Sequence, residues 1–161
     1  MKRIFGPLSA SPVECTNPVR DTWRARWDYR TNPDSGATSY VEEEYDHQPT
    51  PAEVAASHRS WVNTQVDERI LSGFSFEGAS VWLSTENQLN YTAAFQLATS
   101  TGGSSLPVTL KFGADESPVF RTFSSLEDIT AFYRAMQQHI SSAVAWGWEQ
   151  KGLFDTSPYI P

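Results

Sequence analysis

Residues 22–46 read TWRARWDYRTNPDSGATSYVEEEYD. On both sides of the run NPDSG at 32–36, apolar and charged side chains alternate along the chain. Alternation with a period of two is typical of a β-strand that buries one face, and Asn, Pro, Asp and Gly are typical of turns. The segment therefore predicts a β-hairpin whose first strand carries on one face Trp23, Ala25, Trp27 and Tyr29.

The same pattern predicts the register of the hairpin. If the turn is centred on Asp34, residues whose numbers sum to 68 face each other, and a slip by one residue would place apolar side chains against charged ones. Glu42 and Glu44 then face arginines, and strand alternation points Glu43 to the other face. We therefore interpret the run Glu42-Glu43-Glu44 as solvated salt bridges rather than a metal site or a catalytic carboxylate pair. The expected pairs are Arg26–Glu42, Arg24–Glu44, Trp27–Val41 and Trp23–Tyr45.

Residues 1–22 differ from the hairpin in composition. Pro7, Pro12 and Pro18 interrupt this stretch, and each proline removes an amide donor and favours extended backbone before it. Residues 1–30 carry six basic against three acidic side chains, whereas the whole chain has a net charge of −7. We therefore expect residues 1–22 to form an extended arm that lies on another chain.

The remaining sequence alternates between helices and hairpins. Capping boxes at 50–53 and 124–127 and a capping residue at Ser84 predict the starts of three helices, and Gly73 is placed to end the first. Leu89, Ala93 and Leu97 recur along one side of the second helix. The hairpins expected between the helices, over 74–83 and 108–123, are predicted to share one four-stranded sheet.

These elements predict an α+β fold in which antiparallel β-hairpins pack against three helices in two layers. The expected organisation is an extended Pro-rich arm over 1–22, a β-hairpin over 23–46, an α+β domain over 50–150 and a C-terminal tail over 151–161. Two arrangements of the first hairpin stay open. It either extends the main sheet or forms a small module with the arm.

The composition excludes several classes of protein. A net charge of −7 argues against broad nucleic-acid binding, which needs clustered Lys and Arg, and a single cysteine cannot form an internal disulfide. No apolar run approaches the ~20 residues of a membrane span, and the first residues lack the apolar stretch of a secretion signal. We expect a soluble protein made in the cytoplasm, without nucleic-acid partners and without membrane insertion.

The sequence contains no catalytic motif that we can identify. His47, His58 and His139 lie on a predicted loop and on two different predicted helices, without the spacing of metal ligands. It has no glycine loop for phosphate, no G-x-S-x-G and no H-E-x-x-H. We expect a protein that is not an enzyme and that needs no metal or other cofactor.

Aromatic and basic side chains in the first 45 residues are the candidates for partner binding. Trp and Tyr combine a large apolar area with a polar group and are enriched at binding hot spots. Three interpretations of the aromatic face of the hairpin stay open: packing on the main domain, a protein interface, and a platform on which sugars stack. The candidate partner-binding residues are Lys2, Arg3, Phe5, Arg20, Trp23, Trp27, Tyr29 and Tyr45.

Several stretches of the chain resemble a known family. VDERILSGFSFEG at 66–78, VWLSTENQ at 81–88, and FRTF at 120–123 with the helix after it are similar to a domain of unknown function common in tailed bacteriophages and prophages. The resemblance covers about residues 50–150. It implies a structural or adaptor protein of the virion that binds other tail or tail-fibre proteins in an oligomeric assembly. The alternatives are a tail-fibre assembly chaperone that is absent from the mature virion, and a carbohydrate-binding module.

Overall fold

A computed structural model describes residues 1–113 and 116–160 of the chain. The strands are β1 (Lys2–Phe5), β2 (Val13–Asn17), β3 (Thr22–Thr31), β4 (Thr38–Tyr45), β5 (Phe74–Phe76), β6 (Ala79–Val81), β7 (Val108–Phe112) and β8 (Val119–Phe123). The helices are α1 (Pro51–Ser72), α2 (Thr85–Ser100) and α3 (Leu126–Leu153), followed by a 3₁₀ turn at Ser157–Tyr159. All strand pairs are antiparallel, so the predicted α+β class is confirmed.

The chain divides into two compact units. The first, here called the sheet unit, comprises residues 1–63 and 149–161. The second, here called the hairpin unit, comprises residues 64–148. The boundaries fall inside α1 and α3, and therefore differ from the predicted ones at residues 50 and 150.

The sheet unit contains a four-stranded sheet in the order β1-β4-β3-β2. Its central hairpin is β3 and β4, and the four predicted pairs are confirmed. This register is favoured because each arginine faces a glutamate and each tryptophan faces an apolar or aromatic side chain. The observed pairs are Arg26–Glu42, Arg24–Glu44, Trp27–Val41 and Trp23–Tyr45.

A bulge interrupts the register of β3 and β4 between Trp27 and Arg30. Asp28 lies in it with a φ of 52°, and the extra residue reverses the direction of the side chains that follow. The ring of Tyr29 is consequently 5.5 Å from that of Tyr40, which precedes the partner of Trp27 in β4 and so belongs to the other face. The prediction that Tyr29 shares a face with Trp27 is wrong.

Residues 1–22 lie on their own hairpin rather than on another chain. β1 pairs with β4, and β2 pairs with β3, so the predicted arm supplies both outer strands of the sheet. The two long central strands would otherwise leave rows of unpaired N–H and C=O groups. Pro7 and Pro12 lie between β1 and β2, and Pro18 follows β2, so the prolines mark the ends of strands.

A network of charges is buried at the centre of the sheet. Arg26 Nε donates to Glu42 Oε2 at 2.8 Å, and Arg26 Nη2 donates to Glu14 Oε2 on β2. Both Arg26 and Glu42 are buried, so this salt bridge is not solvated as predicted. The neighbouring Arg24–Glu44 pair, with Nη2 2.9 Å from Oε1, is the exposed kind that the prediction described.

The apolar core of the sheet unit lies on the face that carries Trp27. Ring packing there includes His58, which is buried and whose ring stacks on Phe154 with centroids 3.9 Å apart. Burial lowers the pKa of His58 to about 4; the charge of Asp28 raises this pKa by a smaller amount and that of Arg59 lowers it further. Tyr159 donates from its hydroxyl to the backbone oxygen of Arg26 at 2.7 Å. The buried members of this core are Ala25, Trp27, Val41, Val54 and Tyr159.

The hairpin unit has an aromatic core centred on Phe132 of α3. Its ring centroid lies between 5.0 and 6.2 Å from those of five other aromatic residues. These are Phe74, Phe76, Tyr91, Phe112 and Phe123. One ring from each of α2, β7 and β8 and two from β5 thus meet α3, which explains why the short hairpins of this unit are held in place.

The two hairpins of this unit form separate two-stranded sheets, β5–β6 and β7–β8. A single backbone hydrogen bond, from Gly113 N to Ser80 O at 3.1 Å, is described between the two segments. The prediction of one four-stranded sheet is wrong here, because β5 and β6 span only three residues each and bury their apolar side chains against α3.

The predicted helix starts are confirmed with one shift. Thr50 and Glu53 exchange hydrogen bonds in a capping box, and Ser84 Oγ accepts from Asn87 N at 3.2 Å. At α3 the cap is Ser125 rather than the preceding serine, because Ser125 Oγ accepts from Asp128 N at 3.1 Å. α1 ends at Ser72, directly before Gly73, as predicted.

Removal of the Glu42 charge should destabilise the protein far more than removal of the Glu44 charge. Glu42→Gln leaves Arg26 buried without its full set of partners, which costs about 3 kcal/mol in comparable cases. Glu44→Gln breaks an exposed pair worth about 1 kcal/mol or less. Urea unfolding of the two variants and the unmodified chain measures the difference, and equal losses would contradict the buried network.

Stability should fall between pH 7 and pH 5 because of His58. Its pKa in the folded chain is about 4, below the ordinary value of about 6.5, so the unfolded chain takes up the proton first and the loss grows as the pH falls from 6.5 towards 4. The loss by pH 5 should be roughly 2 kcal/mol. His58→Phe should remove this component, whereas His47→Gln should keep it because His47 is exposed. Equal pH profiles for His58→Phe and the unmodified chain would contradict the assignment.

Candidate partner-binding surface

Trp27 was predicted to contribute to an aromatic binding face, but the structure places it in the core. Its side chain is only 3% exposed and packs in the sheet unit with Val41 and Val54. The packing interpretation is therefore correct for Trp27. A sugar cannot stack on a ring that is buried, so the carbohydrate-binding interpretation loses its central platform.

Three other predicted aromatics are half-buried and hold polar contacts inside the sheet unit. Trp23 Nε1 donates to Asp21 at 2.7 Å, Tyr29 donates to the backbone oxygen of Ala10 at 3.0 Å, and the Tyr45 hydroxyl donates to Ser57 at 2.8 Å. Burial raises the pKa of both tyrosines. These contacts tie the three rings to a turn, to a loop and to α1 of the same unit.

Arg3, one of the candidate partner-binding residues, has its partners within the same sheet. It forms an ion pair with Asp28 in the bulge of β3 and donates to Ser39 Oγ at 3.2 Å. Lys2 and Arg20 are exposed, and no ion pair of either is found in residues 1–113 and 116–160. Of the three basic residues proposed for partner binding, two thus keep their charges towards solvent.

Phe5 is the most exposed of the predicted aromatic partner-binding residues, at 80%. It ends β1, which pairs with β4 along one edge and is the outermost strand of the sheet as described. An exposed strand edge with an apolar side chain is a surface to which another chain can add a strand. Lys2 at the start of β1 adds a positive charge to that edge.

A second exposed apolar surface lies on α2 in the hairpin unit. Leu89, Ala93 and Leu97, here called the α2 stripe, follow one another at intervals of four residues. Leu89 is 71% and Leu97 56% exposed, and Ala93 is exposed as well. At a rise of 1.5 Å per residue the stripe extends over about 12 Å of the helix. The opposite side of α2 carries the buried residues Tyr91 and Ala98.

The sequence showed the periodicity of the α2 stripe but not which side of the helix is buried. Tyr91 decides this, because its ring packs on Phe132 and Phe112 and its hydroxyl donates to the backbone oxygen of Lys111. Burial raises the pKa of Tyr91 to about 12. An aromatic residue on one side of an otherwise ambiguous helix was the signal that could have identified the stripe as exposed.

The histidines do not come together in a site. His58 is enclosed in the sheet unit, and His47 lies between Asp46 and Glu53 at the start of α1, where these carboxylates raise its pKa. Throughout the described residues no group of three His, Cys, Asp or Glu side chains is arranged to hold a metal ion. Nor is any described helix long and apolar enough to cross a membrane.

Comparison of the chain with curated proteins and with solved structures gives no match. A family model does match residues 53–158, about two-thirds of the chain, and its description is "Domain of unknown function (DUF4376)". The match covers the stretches that carry the resemblance to a domain of unknown function. On this coverage, the chain belongs to the DUF4376 family.

Proposed function

We propose that this protein is a non-enzymatic structural or adaptor protein of a tailed bacteriophage, associated with the tail or its fibres and located in the virion. It works by surface complementarity, as one part of an oligomeric assembly. The resemblance of residues 66–88 and 120–148 to phage-encoded domains supports the setting. The exposed α2 stripe is the observation that supports binding to a protein partner.

The α2 stripe has the properties of a protein contact. Its two leucines are exposed although the buried side of the same helix already supplies Tyr91 and Ala98 to the core. Covering a leucine side chain releases about 1.5–3 kcal/mol, so a partner that covers both gains a substantial part of a binding free energy. A partner with an apolar groove or a second amphipathic helix fits a straight stripe of this kind.

The edge of β1 supports a second contact with the same assembly. Phe5, Lys2 and the outer edge of β1 lie together at one side of the sheet unit. Arg20 is an exposed positive charge in the turn between β2 and β3, at the opposite edge of this sheet. These three residues remain in the proposed partner-binding set, whereas Trp27 leaves it because it is buried.

The location of the protein can be tested by mass spectrometry of purified particles. We expect the chain in virions at a fixed ratio to a known tail protein. Recovery with free fibre proteins but not with virions would instead indicate the assembly chaperone. Absence from both fractions would overturn the proposed function.

Two charges placed on the α2 stripe should abolish incorporation without unfolding the protein. Leu89→Glu with Leu97→Glu opposes burial of both positions in an interface, while exposed positions tolerate substitution within about 0.5 kcal/mol of stability. The matched control is Ala131→Glu with Ser141→Glu, which adds the same charge at two exposed positions of another helix, α3. The ratio of chain to tail protein in purified particles measures the effect, and an unchanged ratio for the stripe variant would contradict this interface.

A further inference from the structure

A cavity of about 280 Å³ lies in the hairpin unit between the end of α1 and the second half of α3. No acidic side chain is among the described residues that line it, although the chain has a net charge of −7. Its volume is just below the roughly 300–1,000 Å³ of typical ligand pockets, so it suits a small group or the end of a larger molecule. The lining residues are Arg69, Gly73, His139, Ser142, Ala143 and Trp146.

Arg69 is held in this cavity by an aromatic ring. Its guanidinium carbon lies 3.8 Å from the centre of the Trp146 ring. A guanidinium over an indole keeps its N–H groups in its own plane, where they can still bind a ligand. In the described part of the chain Arg69 has no ion pair, whereas Arg121 of the same unit is paired with Glu77 at 2.6 Å. Arg69 is therefore a fixed cation without a carboxylate partner.

His139 is oriented by the last turn of α1. Its Nε2 lies 2.9 Å from the backbone oxygen of Arg69, and since a carbonyl only accepts, Nε2 carries the proton. In the neutral ring Nδ1 is then an acceptor, and no partner for it is found among the described residues. A side chain at Gly73 would place its Cβ 2.7 Å from that same oxygen and 3.2 Å from His139 Cε1. Glycine at this position lets the imidazole approach the helix end.

Ser142 completes the polar groups of the cavity. Its Oγ accepts a hydrogen bond from Gln138 Nε2 at 3.2 Å, which leaves the hydroxyl proton free to be donated. The cavity thus offers a guanidinium, a hydroxyl donor and a ring acceptor within one small space beside an indole.

We propose that this cavity binds a carboxylate group. Arg69 donates two parallel hydrogen bonds to its oxygens, the bidentate geometry in which a planar guanidinium matches a carboxylate. Ser142 donates a further bond, and His139 Nδ1 accepts from an N–H or O–H next to the carboxylate. Small organic acids and the C-terminus of a polypeptide both have this chemistry, and the proposal is independent of the phage assignment.

The test is a titration of the full-length chain followed by NMR of the tryptophan indole N–H groups. The chain has six Trp residues, and Trp146→Phe identifies the signal that belongs to the cavity. N-acetylglycine should shift this signal saturably, while the neutral N-acetylglycinamide should not. Acetylated tetraglycine with a free or an amidated C-terminus distinguishes small organic acids from a polypeptide C-terminus. Tighter binding of the peptide with a free C-terminus than of N-acetylglycine indicates a polypeptide ligand. Equal binding of the two indicates small organic acids.

Arg69→Gln should weaken binding of N-acetylglycine at least tenfold, and Arg69→Lys should give an intermediate loss because it keeps the charge but not the planar fork. Arg134→Gln is the control, since Arg134 is an exposed arginine of α3 that does not line the cavity. Unchanged positions of the other indole signals show that the variants are folded. A shift equal to that of the amide, tighter binding of inorganic phosphate, or full binding by Arg69→Gln would overturn the proposal.

Discussion

The strand arrangement of the sheet unit depends on the buried Arg26 side chain, whose charge must be compensated by several partners simultaneously. Glu42 on β4 and Glu14 on β2 accept from its guanidinium, and the Tyr159 hydroxyl binds its backbone oxygen. An uncompensated charge in this position would cost several kcal/mol, so only one register of β3 against its neighbours is tolerated. One arginine thereby fixes the order of three strands and the position of the C-terminal turn.

The local parts of this arrangement could be predicted from the sequence. Alternation of Trp27 and Arg26 against Val41 and Glu42 defines a register, and the capping serines and threonine define helix starts, because these signals act over a few residues. The bulge at Asp28 could not be predicted. A positive φ at a residue other than glycine leaves no pattern in the sequence, yet it turns Tyr29 to the opposite face.

Features that depend on distant parts of the chain were also missed. The prolines indicated an extended backbone over residues 1–22. The position of this segment depends on the outer edges of β3 and β4, with which β2 and β1 pair. On α2 both sides carry apolar residues, and the position of Phe132 on α3 selects Tyr91 for burial. The same long-range packing brings Arg69 and Trp146, 77 positions apart in sequence, into contact. Candidate sites of this kind follow from tertiary structure rather than from motifs.

The division of the chain has a consequence for its synthesis. The hairpin unit is one continuous segment, so its aromatic core can form as soon as that segment has left the ribosome. The sheet unit takes Phe154 and Tyr159 from beyond this segment, and both belong to the packing around Trp27. The N-terminal segment of the sheet unit is translated first, but its packing is completed last. Until then, the aromatic face of β3 that carries Trp27 stays exposed to solvent.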